Sequence, residues 1–447
     1  MRVMMVGTTE RRKRSEVEWG CRRRSDAIVP MKRGNSSQRT LRRKGLISLM
    51  EPRGGNTINT LMLNTVSTKQ ERIAALAKQS PGMVFTSLAY HIDLEWLQEA
   101  YKRTKKNKAV GVDGITAKQY EENLEENLKD LLNRAKSGRN YAPPVKRVYI
   151  PKGQNELRPI GIPTLEDKVL QRAVCMVLEP IYEHDFLACS YGFRPHRSPH
   201  QAIQTIWQGV MQMRGGWILD VDIRKYFETI DHSNIREMLR QRVNDGVITR
   251  LVGKWLNAGV QETGQISYPD VGSPQGGVIS PLLSNIYLHY VMDMWFENMV
   301  KPVMHGRTFM VRFADDIVIA FENKSDAERV YQVINKRFAK YGLTLHPEKT
   351  KLVNFTSPPY GAKTPKSEQG TFDFLGFTHF WGKSKNGSWV LKRCTAGKRL
   401  RSKLIALYEW CKQNRHRPIR EQHKDLTCAL SSEDITNITV LTGIWNA

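Results

Sequence analysis

Phe309-Met310-Val311-Arg312-Phe313-Ala314-Asp315-Asp316-Ile317-Val318-Ile319-Ala320-Phe321 sets two adjacent carboxylates between two apolar, β-branched runs. Runs of this kind read as buried strands joined by a tight turn, with the acids at its tip. Two carboxylates held there are costly unless a cation neutralises them, and a divalent metal does so while organising phosphate chemistry. Aspartate is also a common turn residue, so taken alone the pair is equally a polar hairpin turn.

Other residues shift that balance. Trp217-Ile218-Leu219-Asp220-Val221-Asp222-Ile223 reads as a second apolar strand interrupted by acids. Asp220 and Asp222 share a face by the period of two, and only the one nearer the strand end need reach a site. If this strand lies beside the hairpin, Asp222 joins Asp315 and Asp316. Three carboxylates are the set that two Mg²⁺ ions need to activate a 3′ hydroxyl and stabilise a leaving pyrophosphate. The proline-bounded stretch from Pro143 to Pro163 reads as a strand pair displaying Lys152 and Arg158, a point charge and a planar fork suited to a triphosphate. Gly276-Gly277 permit close backbone approach to a ligand, with Gln275 beside them, and Phe227 is placed to stack under a sugar. Taken singly, these are a surface cation, a turn and a core aromatic.

Composition agrees with a polyanionic partner. The 447 residues carry a formal net charge of +25, and 40% of them are hydrophobic, enough for more than one compact unit. Nucleic acid is the leading partner class. The six cysteines contain no C-x-x-C pair, which argues against a zinc ribbon or a disulfide framework and for a reducing, cytoplasmic setting. No run of about 18 apolar residues is present, so no membrane role is expected.

Along the chain, residues 1–50 hold 14 Lys/Arg against 4 Asp/Glu without an apolar period, and residues 1–56 are expected to be a disordered basic extension. Such a segment is a nucleic-acid-binding arm or the product of a start codon assigned too far upstream. Helical spacing begins near Thr68 and returns at Leu94 to Tyr101 and Tyr120 to Leu132. A helix is predicted from about Leu165 to Tyr182, with Glu166 and Asp167 in its first turn, where the helix dipole favours acids. Leu282, Leu283, Ile286, Tyr287 and Val291 predict a long amphipathic helix. Another follows from Ala327 to Tyr341, then a strand near Leu352 to Phe355. The fold class expected is α+β, with the sheet covered on one face.

In their order, these residues resemble one family, the group II intron reverse transcriptases, or maturases. The resemblance runs from about Thr68 to about Arg420. It includes Gly111-Val112-Asp113-Gly114, Arg158-Pro159-Ile160-Gly161-Ile162-Pro163-Thr164, Ser190-Tyr191-Gly192-Phe193-Arg194-Pro195, the Asp222 strand, Ser273 through Asn285, and Phe372-Asp373-Phe374-Leu375-Gly376-Phe377. It implies a right-hand polymerase: an N-terminal extension and fingers over 57–210, a palm with an antiparallel sheet over 211–380, and a partial helical thumb from 381. By that likeness Asp222, Asp315 and Asp316 are catalytic, and two Mg²⁺ ions are held by Asp222, Asp315 and the Ile223 carbonyl, with Asp316 alongside. Lys152, Arg158, Phe227, Gln275 and Lys349 would contact the nucleotide, Phe227 as a gate against a ribose 2′-hydroxyl. Phe374, Leu375, Gly376 and Phe377 would hold the primer end. The partners implied are intron RNA, an RNA template with a DNA primer, and dNTPs, with the intron's splicing and mobility as the setting. Oligomeric state is left open.

Two departures stand out. Phe313 replaces the family's usual tyrosine before Ala-Asp-Asp, and the chain stops at Ala447, within the expected thumb. Residues 391–424 carry 11 Lys/Arg against 2 Asp/Glu, as suits a helix tracking a duplex backbone, whereas Leu430 to Val440 loses that pattern. A frameshift is the expected cause, to be checked in the nucleotide sequence: one permitted choice of codons for Glu433 through Val440, reread from the third base, spells Gly-His-Tyr-Gln-Tyr-Tyr-Gly, the family's usual sequence there. A chain so shortened would lack most of its thumb. The leading function is RNA-directed DNA synthesis, and the alternative is a non-catalytic or truncated RNA-binding splicing factor. An RNA-templated RNA polymerase is disfavoured by Phe227.

Overall fold

The computed structural model describes residues 57–431, apart from 107–108, 152–156, 263, 269–270, 273–275, 363 and 366–368. The basic arm, the proposed shifted frame at 433–440, Lys152 and Gln275 therefore lie outside the described residues. Eleven strands occur among the described residues: β1 (Val145–Pro151), β2 (Leu157–Ile162), β3 (Trp217–Val221), β4 (Val260–Glu262), β5 (Gln265–Ser267), β6 (Thr308–Phe313), β7 (Asp316–Phe321), β8 (Lys351–Asn354), β9 (Phe372–Phe374), β10 (Phe377–Lys383) and β11 (Trp389–Thr395). They form three sheets, ordered β2-β1-β4-β5, β6-β7-β3-β8 and β11-β10-β9. With the helices between them, this is an α+β fold.

The β6–β7 hairpin and the acid-bearing strand come together as their composition requires. β7 pairs antiparallel with β6 on one side, Phe313 opposite Asp316, and with β3 on the other, Val221 opposite Ile317. β8 closes the far edge, Asp220 opposite Lys351. The strands are buried on both faces, not one. Leu219, Val221, Ile317, Ile319 and Phe321 pack into the main core with the helices Leu165–Asp185 and Ser280–Leu288. Ile218, Val311, Val318 and Ala320 pack into a second core against Ile203, Ile206 and Val210 of the helix Pro199–Met213 and against Phe355, Phe374 and Trp381. The physical reason lies in β7, where Ile317 to Phe321 is apolar at every position; such a run loses stability if either face stays wet.

One helix reading is also corrected and two are refined. The helix after the glycine-rich turn is buried almost all round from Ser280 to Leu288, not amphipathic, and continues through π-type turns at His289–Asp293 and Phe296–Val300. The Tyr120 to Leu132 stretch splits into the helices Ala117–Glu122 and Leu124–Ser137. Asp167 in the first turn of Leu165–Asp185 is buried and accepts the Trp255 indole N–H at 3.0 Å. Burial pushes its carboxyl up to about 7, so it is no exposed partner of the helix dipole.

The third sheet is fastened by aromatic side chains. The Trp207 indole donates to the Leu391 carbonyl at 3.1 Å and that of Trp381 to the Phe355 carbonyl at 3.0 Å. Of the described residues, those from Thr57 to Cys411 form one compact unit, and Lys412 to Ser431 belong to a second, which includes the helix Ile419–Ser431.

Candidate active site

A cavity of about 360 Å³ opens where the end of β3, the tip of the β6–β7 hairpin and β2 meet. Its wall includes Asp222, Ile223, Phe227, Asp315, Arg158 and Lys349, six of the residues singled out from the sequence. They come from segments nearly two hundred residues apart, so the fold, not chain proximity, gathers them.

Each is held by local structure. Past the end of β3 the backbone is tied to the 344–350 segment: His346 N–H donates to the Asp222 carbonyl at 2.8 Å, Arg224 N–H to Thr344 at 2.8 Å, and Asp222 N–H to Thr350 Oγ1 at 3.3 Å. These bonds fix where Asp222 emerges and bring Lys349 Nζ to 3.9 Å from its carboxylate. Phe227 follows Tyr226, whose buried hydroxyl donates to the Ser284 carbonyl at 2.8 Å, anchoring the short helix Tyr226–Thr229 beneath the cavity. Arg158 stands on β2, opposite Ile150 of β1.

Asp316 does not line the cavity. It begins β7 as an exposed residue and shares a sheet face with Val318 and Asp220. Burial pushes the Asp220 carboxyl up to about 7, helped by the charges of Asp316, Asp222 and Asp373 and opposed by Lys351. The adjacent aspartates therefore divide: Asp315 faces the cavity, and Asp316 stands near Asp220.

Phe374 is buried in the second core, while Leu375 and Gly376, the turn between β9 and β10, and Phe377, the first residue of β10, are half-buried. Leu375 and Gly376 both have positive φ, the geometry of a two-residue hairpin turn. Arg399 donates to the Leu375 carbonyl at 3.4 Å. Gly276 has φ +122°, and a Cβ there would meet the Gly161 carbonyl oxygen at 2.5 Å, so the glycine-rich turn lies directly on β2.

Among the cavity residues that the sequence reading does not single out are Arg224 and His346. His346 Nδ1 accepts the Glu348 N–H at 3.3 Å, which leaves Nε2 as the protonated ring nitrogen. Its place three residues before Lys349 was the available signal.

No group of three His, Cys, Asp or Glu stands close enough to cage a metal among the described residues. The convergence of three carboxylates expected from the sequence is therefore not found: Asp222 and Asp315 line the cavity and Asp316 does not. Mg²⁺ is commonly bound through one or two carboxylates, with waters and substrate phosphates completing its shell. Asp222 and Asp315, which line the cavity together with Ile223, are donors of the type such an ion takes.

Residues 150–379 match the reverse transcriptase (RNA-dependent DNA polymerase) family. Protein YkfC of Escherichia coli K12 is 36% identical over 288 residues, 57% of this chain and 75% of that protein. The group II intron-encoded protein LtrA of Lactococcus lactis subsp. cremoris is 38% identical over 221 residues, 49% of this chain and 37% of LtrA. The putative COX1/OXI3 intron 1 protein of Saccharomyces cerevisiae is 29% identical over 317 residues, 60% of this chain and 37% of that protein. The chain thus spans well under half the length of these two intron-encoded relatives. No helix of the described residues is long and apolar enough to cross a membrane. With Asp315 of the hairpin and Asp222 past the end of β3 gathered on one cavity inside the matched region, the chain belongs to the reverse transcriptase family, among the group II intron reverse transcriptases and maturases.

Proposed function

We propose that the chain is an RNA-directed DNA polymerase that extends a DNA primer on an RNA template and binds group II intron RNA. The observation that carries this reading is the single cavity lined by Asp222, Asp315, Arg158, Phe227 and Lys349. In it Asp222, Asp315 and the Ile223 carbonyl would hold two Mg²⁺ ions, and when bound these would lower the pKa of the attacking 3′ hydroxyl and neutralise charge on the leaving pyrophosphate. Arg158 grips the triphosphate through its fork, and Lys349 and His346 Nε2–H donate to phosphate oxygens. Phe227 packs against the sugar and leaves no room for a 2′-hydroxyl. Lys152 and Gln275 are assigned to the nucleotide by resemblance, as are Asp316 as support for Asp315 and Phe374 to Phe377 as the primer grip.

On this reading the regions are assigned to a right-hand plan by resemblance, with an N-terminal extension and fingers over 57–210, palm over 211–380 and the start of a thumb from 381. The helix Gly397–Asn414, with exposed Leu404, Ile405 and Tyr408 among its basic residues, suits a duplex backbone and its sugars. A pure RNA-binding splicing factor gains nothing from carboxylates facing a phosphate backbone, which is why catalysis is preferred.

Primer extension on an RNA template with dNTPs and Mg²⁺ tests the reading, comparing the chain with Asp315→Ala. Incorporation by the wild type and none by the variant is expected. Incorporation surviving in the variant removes Asp315 from the mechanism, and none in either, with RNA still bound, points to the splicing-factor alternative.

A further inference from the structure

Arg312 is the most unusual residue of the hairpin. It lies within a largely apolar strand and is 0% exposed. Its guanidinium has five N–H donors, and all five directions are taken. Nε and Nη2 reach the two carboxylate oxygens of Asp293 at 2.7 and 2.6 Å, and Nη2 also reaches Ser190 Oγ at 2.8 Å. Nη1 donates to Asn285 Oδ1 at 2.9 Å and to the Ala314 carbonyl at 3.1 Å. Asn285 passes the connection on, its Nδ2 donating to the Gly192 carbonyl at 2.7 Å. Gly192 in turn lies against the far side of the turn, where a Cβ on it would stand 2.2 Å from Ala314 N.

The turn so enclosed is strained. Ala314, with φ +57°, occupies the left-handed region that non-glycine residues rarely visit. Such a conformation persists only where its surroundings over-determine it. Here the Ala314 carbonyl is held by Arg312, its N–H side is closed by Gly192, and Arg312's own backbone is bonded to Cys189 and Tyr191, each at 2.8 Å. The next residue is Asp315, on the cavity wall.

We propose that the Arg312–Asp293 ion pair, with Asn285 and Ser190, positions Asp315 by locking the Ala314 turn. Asp293 is also 0% exposed, and a buried pair of this kind adds little net stability over apolar residues of similar volume, so its contribution is to geometry. Arg312 and Asp293 touch neither nucleotide nor metal; they act through the Ala314 carbonyl. This inference rests on the reading of Asp315 as a metal-holding carboxylate.

The test uses the full chain in single-nucleotide primer extension across a Mg²⁺ titration, with thermal unfolding followed in parallel. Two variants are compared with wild type: the double substitution Arg312→Met with Asp293→Leu, which leaves no unpaired buried charge, and Arg312→Lys, which keeps the charge but loses the fork. Both are expected to lower kcat about thirtyfold, equivalent to about 2 kcal/mol. The dNTP KM is expected to stay within about threefold and the Mg²⁺ midpoint to rise several-fold, because a displaced Asp315 weakens ion binding before nucleotide contacts. A merely structural role would lower activity in step with the folded fraction and leave the Mg²⁺ midpoint fixed. A folded double variant, or a folded Arg312→Lys, with wild-type kcat and Mg²⁺ midpoint overturns the proposal. Asp315→Asn serves as the reference: extension surviving in it overturns the metal-site reading and this positioning role together, whereas extension lost in it but intact in the clamp variants overturns the clamp alone.

Discussion

Gly192→Ala is the sharpest single-atom probe of the catalytic turn. The added Cβ would stand 2.2 Å from Ala314 N, 2.9 Å from the Phe313 carbonyl carbon and 3.0 Å from Ala314 Cα. All three are backbone atoms of the segment leading into Asp315, so no flexible side chain can swing away. Restoring ordinary contact, which begins near 3.4 Å, requires about 1 Å of movement between the 190–193 segment and the hairpin, and a misplacement of that size costs on the order of 100-fold in rate. Overpacking adds about 1–3 kcal/mol of instability, which a domain with about 5–15 kcal/mol in reserve survives. Single-nucleotide primer extension at saturating dNTP, with thermal unfolding in parallel, should therefore show a folded protein whose kcat has fallen about 100-fold. Gly246→Ala is the control, since nothing lies within 4 Å of a Cβ there and φ is not positive; it should leave activity unchanged. Wild-type kcat in a folded Gly192→Ala protein would refute the claim that this turn is pinned from both sides.

Further outcomes follow from other contacts. Phe227→Ala opens the cavity wall where the sugar is proposed to sit, so discrimination between dATP and ATP in competitive incorporation should fall by about 10- to 100-fold. For Asp167, raised to about 7 by burial, the folded chain keeps a proton that the unfolded chain releases from about pH 4 upward, so its contribution is present at low pH and lost as pH rises to about 7. Asp167→Asn keeps an acceptor for Trp255 and should stabilise the protein at pH 8 by about 1–3 kcal/mol but not at pH 4, read by urea unfolding at both pH values; equal effects at the two would exclude the buried acid as the cause. Gly376→Ala places a Cβ 1.9 Å from Arg399 Nη1 at a φ of +83°, so the arginine should leave the Leu375 carbonyl; template-primer KM should rise a few-fold while dNTP KM holds, and an unchanged primer KM would detach this turn from primer binding.

Local chemistry in the sequence was enough to announce strands, helices and a pair of acids at a hairpin tip, because apolar period and turn composition act over a few residues. The pairing of Asp222's strand with that hairpin was anticipated as a condition, and Val221 opposite Ile317 meets it. Four features were not legible, each because it depends on contacts between distant segments. The β6–β7–β3 strands are covered on both faces, since Ile203, Ile206 and Phe374 arrive from elsewhere in the chain. Asp167 is kept from ionising readily by the core around it, although its helix position alone favours a charge. Arg312 looks like an interruption of an apolar strand until Ser190, Asn285 and Asp293 converge on it. Asp315 and Asp316, equivalent as letters, are given different surroundings by the hairpin: Asp315 stays in the turn and meets the cavity, while Asp316 enters the ladder opposite Phe313 and stands near Asp220. Residue type and spacing establish which chemistry the chain carries; register and long-range packing establish which of two neighbouring carboxylates faces it, because alternation along a strand separates adjacent side chains and only the paired strands set the phase.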